Sequence, residues 1–293
     1  MKQKAALVLS GGGARGIAHI GAIEELEKHG FEITSLAGTS MGSLVGGVYA
    51  LGKLQEFKEW MLTLDKMKVF KLVDFSFSTQ GLVKGDRVLG RIQEFVTDRR
   101  IEDIGVPYAA VAVDLLKKKE IVFTHGSIFE AIRASISIPS VLTPVKKGNS
   151  LLVDGGVLNN IPVNHVHRTK GDLLVAVDVN ADIPLRKLKE SKKESEEKKS
   201  VYREKLEQFQ QHLKDMLPGN NETELGYFDL MNETISLMTY TIARNNMEKD
   251  PPDILVEISR QSAGTYDFFM AEELVERGRL AAREALQKYK EKK

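Results

Sequence analysis

The sequence predicts an α/β fold with a mainly parallel central sheet covered by helices on both faces. Three observations carry this expectation. A short uninterrupted apolar run at residues 5–9 reads as a strand covered on both faces, and the stretches 31–37 and 175–179 read as further buried strands. Between and after them, apolar residues recur every three or four positions, which is the helical period. Glycine clusters then fall at the ends of the first two runs, where a parallel sheet turns into its crossover helices.

Composition bounds the rest. A chain of 293 residues with 42% apolar content can bury one large core, so a single domain over residues 1–293 is expected. Lysine and arginine number 42 against 41 acidic residues, so no bulk charge argues for nucleic acid and any basic patch must be local. The absence of cysteine excludes disulfides, thiolate catalysis and cysteine metal sites. It also agrees with a reducing compartment. No segment approaches the roughly 18 apolar residues of a membrane-spanning helix. A soluble cytoplasmic protein is the expectation, with transient contact at the inner membrane surface as a further option.

Residues 5–9 open the fold as a strand. Ser10-Gly11-Gly12-Gly13-Ala14-Arg15-Gly16 follows, then Ile17, Ile20, Ala22, Ile23 and Leu26 at helical spacing, with Gly30 as the stop. Three consecutive glycines let successive N–H groups turn towards one point at a helix N-terminus, which makes an anion cradle. Three anions compete for it. Gly11-x-Gly13-x-x-Gly16 matches the dinucleotide fingerprint in form, but the second strand ends in Gly38-Thr39-Ser40 instead of the acidic ribose ligand. A nucleotide phosphate loop would need a closing Gly-Lys-Ser/Thr, which is missing. The oxyanion of an acyl-transfer intermediate is the third, and it explains why a glycine loop and a serine lie at the ends of two successive strands.

That serine is Ser40, in Gly38-Thr39-Ser40-Met41-Gly42, between the strand at 31–37 and a helix over 43–51. A strand, tight turn and helix would expose its hydroxyl at the helix N-terminus, with glycines on both sides making room for the neighbouring chain. The plain alternative is a small-residue turn that packs helix closely on strand. Serine is a poor nucleophile, so its placement matters only beside a base and amide donors.

Further along, Leu54, Phe57, Trp60, Met61 and Leu64 form one apolar helix face. Residues 69–82 crowd Val69, Phe70, Leu72, Val73, Phe75 and Phe77 into a loop-like stretch, either core filling or the lining or cap of an acyl-chain pocket. Residues 85–99 are helical in spacing, 108–114 and 120–124 are β-rich, and Lys117-Lys118-Lys119 between the latter is a solvated turn. A helix over 127–136 ends near Pro139. Strands at 141–146 and 151–153 flank Gly148-Asn149, a hairpin turn. The second runs into Asp154-Gly155-Gly156. Asp-Gly is a common turn dipeptide. Here, though, an apolar strand delivers the carboxylate at its end, so a partly desolvated Asp154 could serve as a base.

Taken together, these pieces resemble the patatin-like phospholipase family, serine lipid acyl hydrolases that use a serine–aspartate dyad without histidine. Gly11-Gly12-Gly13-Ala14-Arg15-Gly16 is similar to the family's oxyanion loop, Gly38-Thr39-Ser40-Met41-Gly42 to its nucleophile elbow, and Asp154-Gly155-Gly156 to its Asp-Gly-Gly/Ala motif, all in the family's order. The segment 135–139 also resembles one found before the aspartate strand in bacterial members. The resemblance implies a patatin-like three-layer sandwich, Ser40 as nucleophile, Asp154 as base, and amides of Gly12 and Gly13 as oxyanion donors. It leaves Arg15 to orient the loop, hold a phosphate or sit on the surface. It implies a lipid or acyl-ester substrate and no metal or organic cofactor.

The resemblance covers about residues 5–180. About residues 184–222 a charged insertion rich in lysine and glutamate reads as a solvated or partner helix or a partly disordered segment, with an apolar stripe of Leu206, Phe209, Leu213, Met216 and Leu217 that offers a membrane-surface role as the lesser alternative. A late strand and closing helix over 253–290 complete the domain. The rival enzyme reading is an α/β-hydrolase triad recruiting His165, His167 or His212, while His19 and His125 read as structural. It fits poorly, because that fold needs several strands before its elbow. A lipid-binding or regulatory module on the same fold is the non-enzymatic alternative.

Overall fold

The computed structural model describes residues 2–72, 86–139, 141–186, 188 and 227–292. The chain divides into two compact units, residues 1–185 with 239–293, and residues 186–238. The sequence-expected charged insertion, its apolar stripe and His212 lie outside the described residues. So does most of the crowded stretch beyond Leu72.

In the first unit an eight-stranded sheet runs in the order β5-β6-β3-β2-β1-β7-β8, with β4 paired to β3. The strands are β1 (Gln3–Leu9), β2 (Phe31–Thr39), β3 (Tyr108–Asp114), β4 (Lys119–Phe123), β5 (Val145–Lys147), β6 (Ser150–Asp154), β7 (Leu173–Ala181) and β8 (Ile254–Ser259). Pairing is parallel from β3 through β2, β1 and β7 to β8, and antiparallel where β4 and β6 meet β3 and where β5 meets β6. Alternation along β1 shows why the run at 5–9 has no polar face. Ala5, Leu7 and Leu9 enter the larger core cluster, whereas Ala6 and Val8 enter a second one on the opposite face.

The larger face is covered by α1 (Ala18–Lys28), α2 (Met41–Ala50), α3 (Leu54–Leu62), α4 (Lys66–Leu72), α5 (Asp86–Gln93), α6 (Ile128–Ser135) and the last helix. The other face is covered by residues 161–166 and by Ala243 of a long helix, α7 (Tyr227–Lys249), which the sequence reading did not anticipate. This gives three layers. Only the C-terminal part of α7, from Thr239, belongs to this unit; its N-terminal part belongs to the second unit, and there Leu230, Ile235, Leu237 and Met238 are exposed. Among the described residues no helix is long and apolar enough to cross a membrane.

The closing helix α8 (Ala271–Glu291) packs on α1 through two glycines. A Cβ on Gly278 would lie 1.8 Å from the Ala18 carbonyl oxygen, and one on Gly21 would lie 1.9 Å from that of Val275, so the helices touch backbone to backbone. Arg279 and Arg283 of α8 then reach Glu24 and Glu25 of α1.

Element boundaries shift in three places. The strand expected over 141–146 narrows to β5, the helix expected over 85–99 is described as α5 followed by turn, and the loop-like stretch begins as helix α4. Pro144 supplies no N–H for a ladder, so β5 starts after it.

Candidate active site

Ser40 closes β2 and caps α2, and its backbone sits at φ 54° and ψ −126°, a left-handed value that is uncommon for a residue with a side chain. The surroundings enforce it. A Cβ on Gly38 would lie 2.5 Å from the Gly42 carbonyl group, and one on Gly42 would lie 2.2 Å from the Leu9 oxygen, so the strand, the turn and β1 pass one another where only glycine fits. Thr39 Oγ1 donates to the Asn159 carbonyl (2.8 Å), the Ser40 N–H donates to Ser135 Oγ (2.9 Å), and Ser43 Oγ donates back to the Ser40 carbonyl (2.7 Å). Met41 is buried at the start of α2, against Gly16.

Asp154 arrives from the opposite direction. β4 fills one side of β3 from Ala110 to Asp114, so β2 and β6 share the other side. There Thr39 pairs with Val111 and Asp154 with Ala112, adjacent rungs of the same strand. The ends of β2 and β6 therefore meet head to head, which brings the Ser40 hydroxyl and the Asp154 carboxyl together across 114 positions of sequence. Asp154 Oδ1 accepts the Gly156 N–H (2.7 Å), while Oδ2 is buried without a hydrogen bond of ordinary geometry. Burial pushes the carboxyl up to about 6, and the facing Ser40 hydroxyl and the Gly156 N–H pull it part of the way back. Gly155 is obligatory beside them, because a Cβ there would lie 2.3 Å from the Val111 oxygen.

The glycine loop lies against this pair. A Cβ on Gly11 would touch both the Asn160 side chain (2.5 Å) and Ser40 Cβ (3.0 Å). The Gly11 N–H is taken by the Asn160 carbonyl and the Ala14 N–H by Thr265. Between them the amides of Gly12 and Gly13 carry no hydrogen bond among the described residues, with Gly13 in the left-handed region at φ 57°. Two asparagines pin the Gly11 carbonyl, Asn180 Nδ2 at 2.6 Å and Asn160 Nδ2 at 3.3 Å. In a planar peptide that fixes the Gly12 N–H on the opposite side. Arg15 supports this arrangement from behind. It donates through Nε and Nη2 to Asn180 Oδ1 and through Nη1 to the Ala263 carbonyl. Of the three roles left open for it by sequence, these bonds are the ones that orienting the loop would need. Asp178, pushed up to about 6 by burial, lies near this arginine.

An apolar cavity of about 130 Å³ opens beside Ser40 and Gly13. Leu44, Phe57, Met61 and Val69 form its walls together with Ile138 and Leu142. Val69 and Leu72 of the crowded stretch thus face the cavity.

The histidines among the described residues stand elsewhere. His165 Nε2 is bonded to Glu120 Oε2 at 2.6 Å, His167 offers its carbonyl to Ser35, and His125 pairs with Thr124. His19 is wholly buried with Nε2 on the Ser10 carbonyl, and burial pushes it down to about 4, so it is neutral. Asn160 and Asn180 are site residues to which sequence reasoning gave no role, and Ser135 lies in the segment 135–139 that the resemblance picked out without a chemistry. Asn160 follows the Asp-Gly-Gly turn by only four positions, and that proximity was the available signal.

Comparison with known proteins agrees with this architecture. A family model described as patatin-like phospholipase matches residues 7–167. An uncharacterized NTE family protein of Mycobacterium tuberculosis is 30% identical over 98% of this chain and 92% of its own length. Lysophospholipase NTE1 of Candida glabrata is 32% identical over 61% of this chain, which corresponds to 11% of that protein. The crystal structure of VipD from Legionella pneumophila shares the fold, with a TM-score of 0.51 at 14% identity, over 99% of this chain and 67% of that one. Fold and sequence together define a lipid acyl hydrolase of α/β architecture. The chain belongs to the patatin-like phospholipase family.

Proposed function

We infer that this protein hydrolyses fatty-acyl ester bonds of phospholipids or lysophospholipids through a Ser40–Asp154 dyad. The observation that supports this most is the head-to-head meeting of β2 and β6, which sets a strained serine against a buried carboxyl at the mouth of an apolar cavity. In this reading Asp154, ionised above pH 6, takes the Ser40 proton as the hydroxyl oxygen attacks the ester carbonyl. The oxyanion that forms is received by the Gly12 and Gly13 amides. The alcohol leaves with the proton, and water activated by Asp154 releases the fatty acid from the acyl-enzyme. The acyl chain lies along Leu44, Phe57 and Met61. A substrate with a single acyl chain is favoured by the name of the lysophospholipase relative, and transient contact with a membrane is part of the proposal.

The test is a fluorophosphonate probe with intact-mass detection. The wild type is expected to gain one label, Ser40→Ala none, and Asp154→Asn to label far more slowly. A folded wild type that stays unlabelled in the presence of detergent micelles would defeat the reading in favour of a non-catalytic lipid-binding module. Loss of labelling in His165→Ala with the fold intact would defeat the dyad in favour of a triad.

A further inference from the structure

The β3–β4 and β5–β6 hairpins extend past the level of Ser40. Thr39 is level with Val111, and β3 continues three residues further to Asp114, which is about 10 Å of extra strand. The turn of β5–β6 stands beside this extension, since the Leu115 N–H donates to the Leu151 carbonyl. One buried side chain ties the two hairpins together. Asp114 Oδ1 accepts the N–H groups of Leu116 and Lys117 from one hairpin and of Leu151 from the other. The paired tips are therefore held as one platform at the carboxyl edge of the sheet, the same edge as the site.

Their surface has an unusual makeup for a pair of solvated turns. Leu115 and Leu116 are 42% and 65% exposed, Lys117, Lys118 and Lys119 follow them in the same hairpin, and Lys146 and Lys147 stand on the other hairpin, all exposed. Lys117 reaches Asp114 and Lys147 reaches Glu130, whereas Lys118, Lys119 and Lys146 have no carboxylate partner among the described residues. Lys118 holds a left-handed φ of 54°, a position that glycine or asparagine would fill at less cost. The platform is also continuous with the cavity. Ile138, Val141 and Leu142 line the cavity, and the same segment becomes β5 with Lys146 and Lys147 within five residues of Leu142.

We propose that these paired hairpin tips are the docking surface by which the protein settles on an anionic lipid bilayer. Leucines among lysines suit an interface where apolar side chains enter the acyl boundary and ammonium groups meet lipid phosphates. A nucleic acid or an acidic protein would use the lysines but leave both leucines in water. Docked this way, the platform would sit in the headgroup layer, bringing the mouth of the cavity towards the lipids. The inference rests on the lipid-hydrolase reading for its purpose, but not for its measurement.

The experiment is co-sedimentation of the full chain with vesicles of phosphatidylcholine alone and of phosphatidylcholine mixed with phosphatidylglycerol, alongside hydrolysis of a short-chain water-soluble ester. The wild type is expected to pellet with the anionic vesicles only. Lys117→Gln/Lys118→Gln/Lys119→Gln should weaken partitioning about 100-fold, and Leu115→Asn/Leu116→Asn about tenfold, with hydrolysis of the soluble ester unchanged in both. Partitioning of either variant at the wild-type level, or equal pelleting on neutral vesicles, would overturn the proposal. Binding of a DNA duplex as tight as that to anionic vesicles, insensitive to the leucine substitutions, would overturn it too. A wild type inactive on the soluble ester would count against the hydrolase reading alone, because vesicle binding is scored separately.

Discussion

Asp154 has opposite consequences for activity and for stability. In its proposed role as base it must be ionised, so kcat/KM on a soluble ester is expected to rise with pH along a single titration near pH 6, the value to which burial lifts the carboxyl. For stability the sign reverses. A carboxyl whose folded pKa lies above the unfolded value near 3.9 favours the folded state at low pH, and that contribution disappears as pH rises from about 4 through 6. Asp154→Asn is therefore expected to be more stable than the wild type at pH 8, by an amount on the order of 3 kcal/mol. The gap should close at pH 4; chemical denaturation at the two pH values checks it, and a constant difference would contradict the burial argument. Asn180 offers a second test at this scale. Asn180→Asp keeps the acceptor for Arg15 but loses the donor to the Gly11 carbonyl. It is expected to lower kcat about tenfold or more with KM little changed, because it releases the Gly12 amide and not the acyl pocket.

At the scale of elements, the contact of α1 with α8 is a sharply constrained packing. Neither Gly21 nor Gly278 has a special backbone angle; each is required because the opposing carbonyl stands where a methyl group would go. Gly278→Ala must push the helices apart, and overpacking of this kind costs about 1–3 kcal/mol or more. A lower midpoint in urea with an unchanged slope is the expected result. Gly90, with open space around its Cβ position, is the control, and Gly90→Ala should be neutral or mildly stabilising. The cavity wall allows another test. Val69→Trp would fill the space beside Ser40 and is expected to abolish turnover of long-chain esters while sparing acetate esters, as read from a chain-length series.

For the molecule as a whole, the recognisable motifs and the folding unit have different extents. The family match ends at residue 167, yet β1 needs β7 as its neighbour, β7 needs β8, and α1 needs α8. Asn180, which pins the Gly11 carbonyl, and Thr265, which takes the Ala14 N–H, also come from beyond residue 167. A fragment of residues 1–170 contains every motif read from the sequence and is expected not to fold. Far-ultraviolet circular dichroism and proteolysis would show this, and a cooperative melt of the fragment would refute it.

Local patterns were enough for the parallel strands, the glycine loop, the serine turn and the Asp-Gly-Gly turn, because each is written in a few adjacent residues whose backbone demands only glycine meets. The burial of both faces of β1 could be read from its uninterrupted apolar run for the same reason. Three things depended on contacts between distant segments. The head-to-head meeting of β2 and β6 needs β4 to occupy the far side of β3, and no spacing within the chain encodes that. The pinning of Gly11 by Asn160 and Asn180 joins residues that look like ordinary turn and strand-end asparagines in sequence. α7 carries polar residues on much of its surface, and among its described side chains only Ala243 and Met247 reach the second core cluster, too few to mark a helix by periodicity. Strand and turn chemistry is local and therefore legible, whereas register, loop support and the choice of which helix covers a face are decided by which distant surfaces exclude water together.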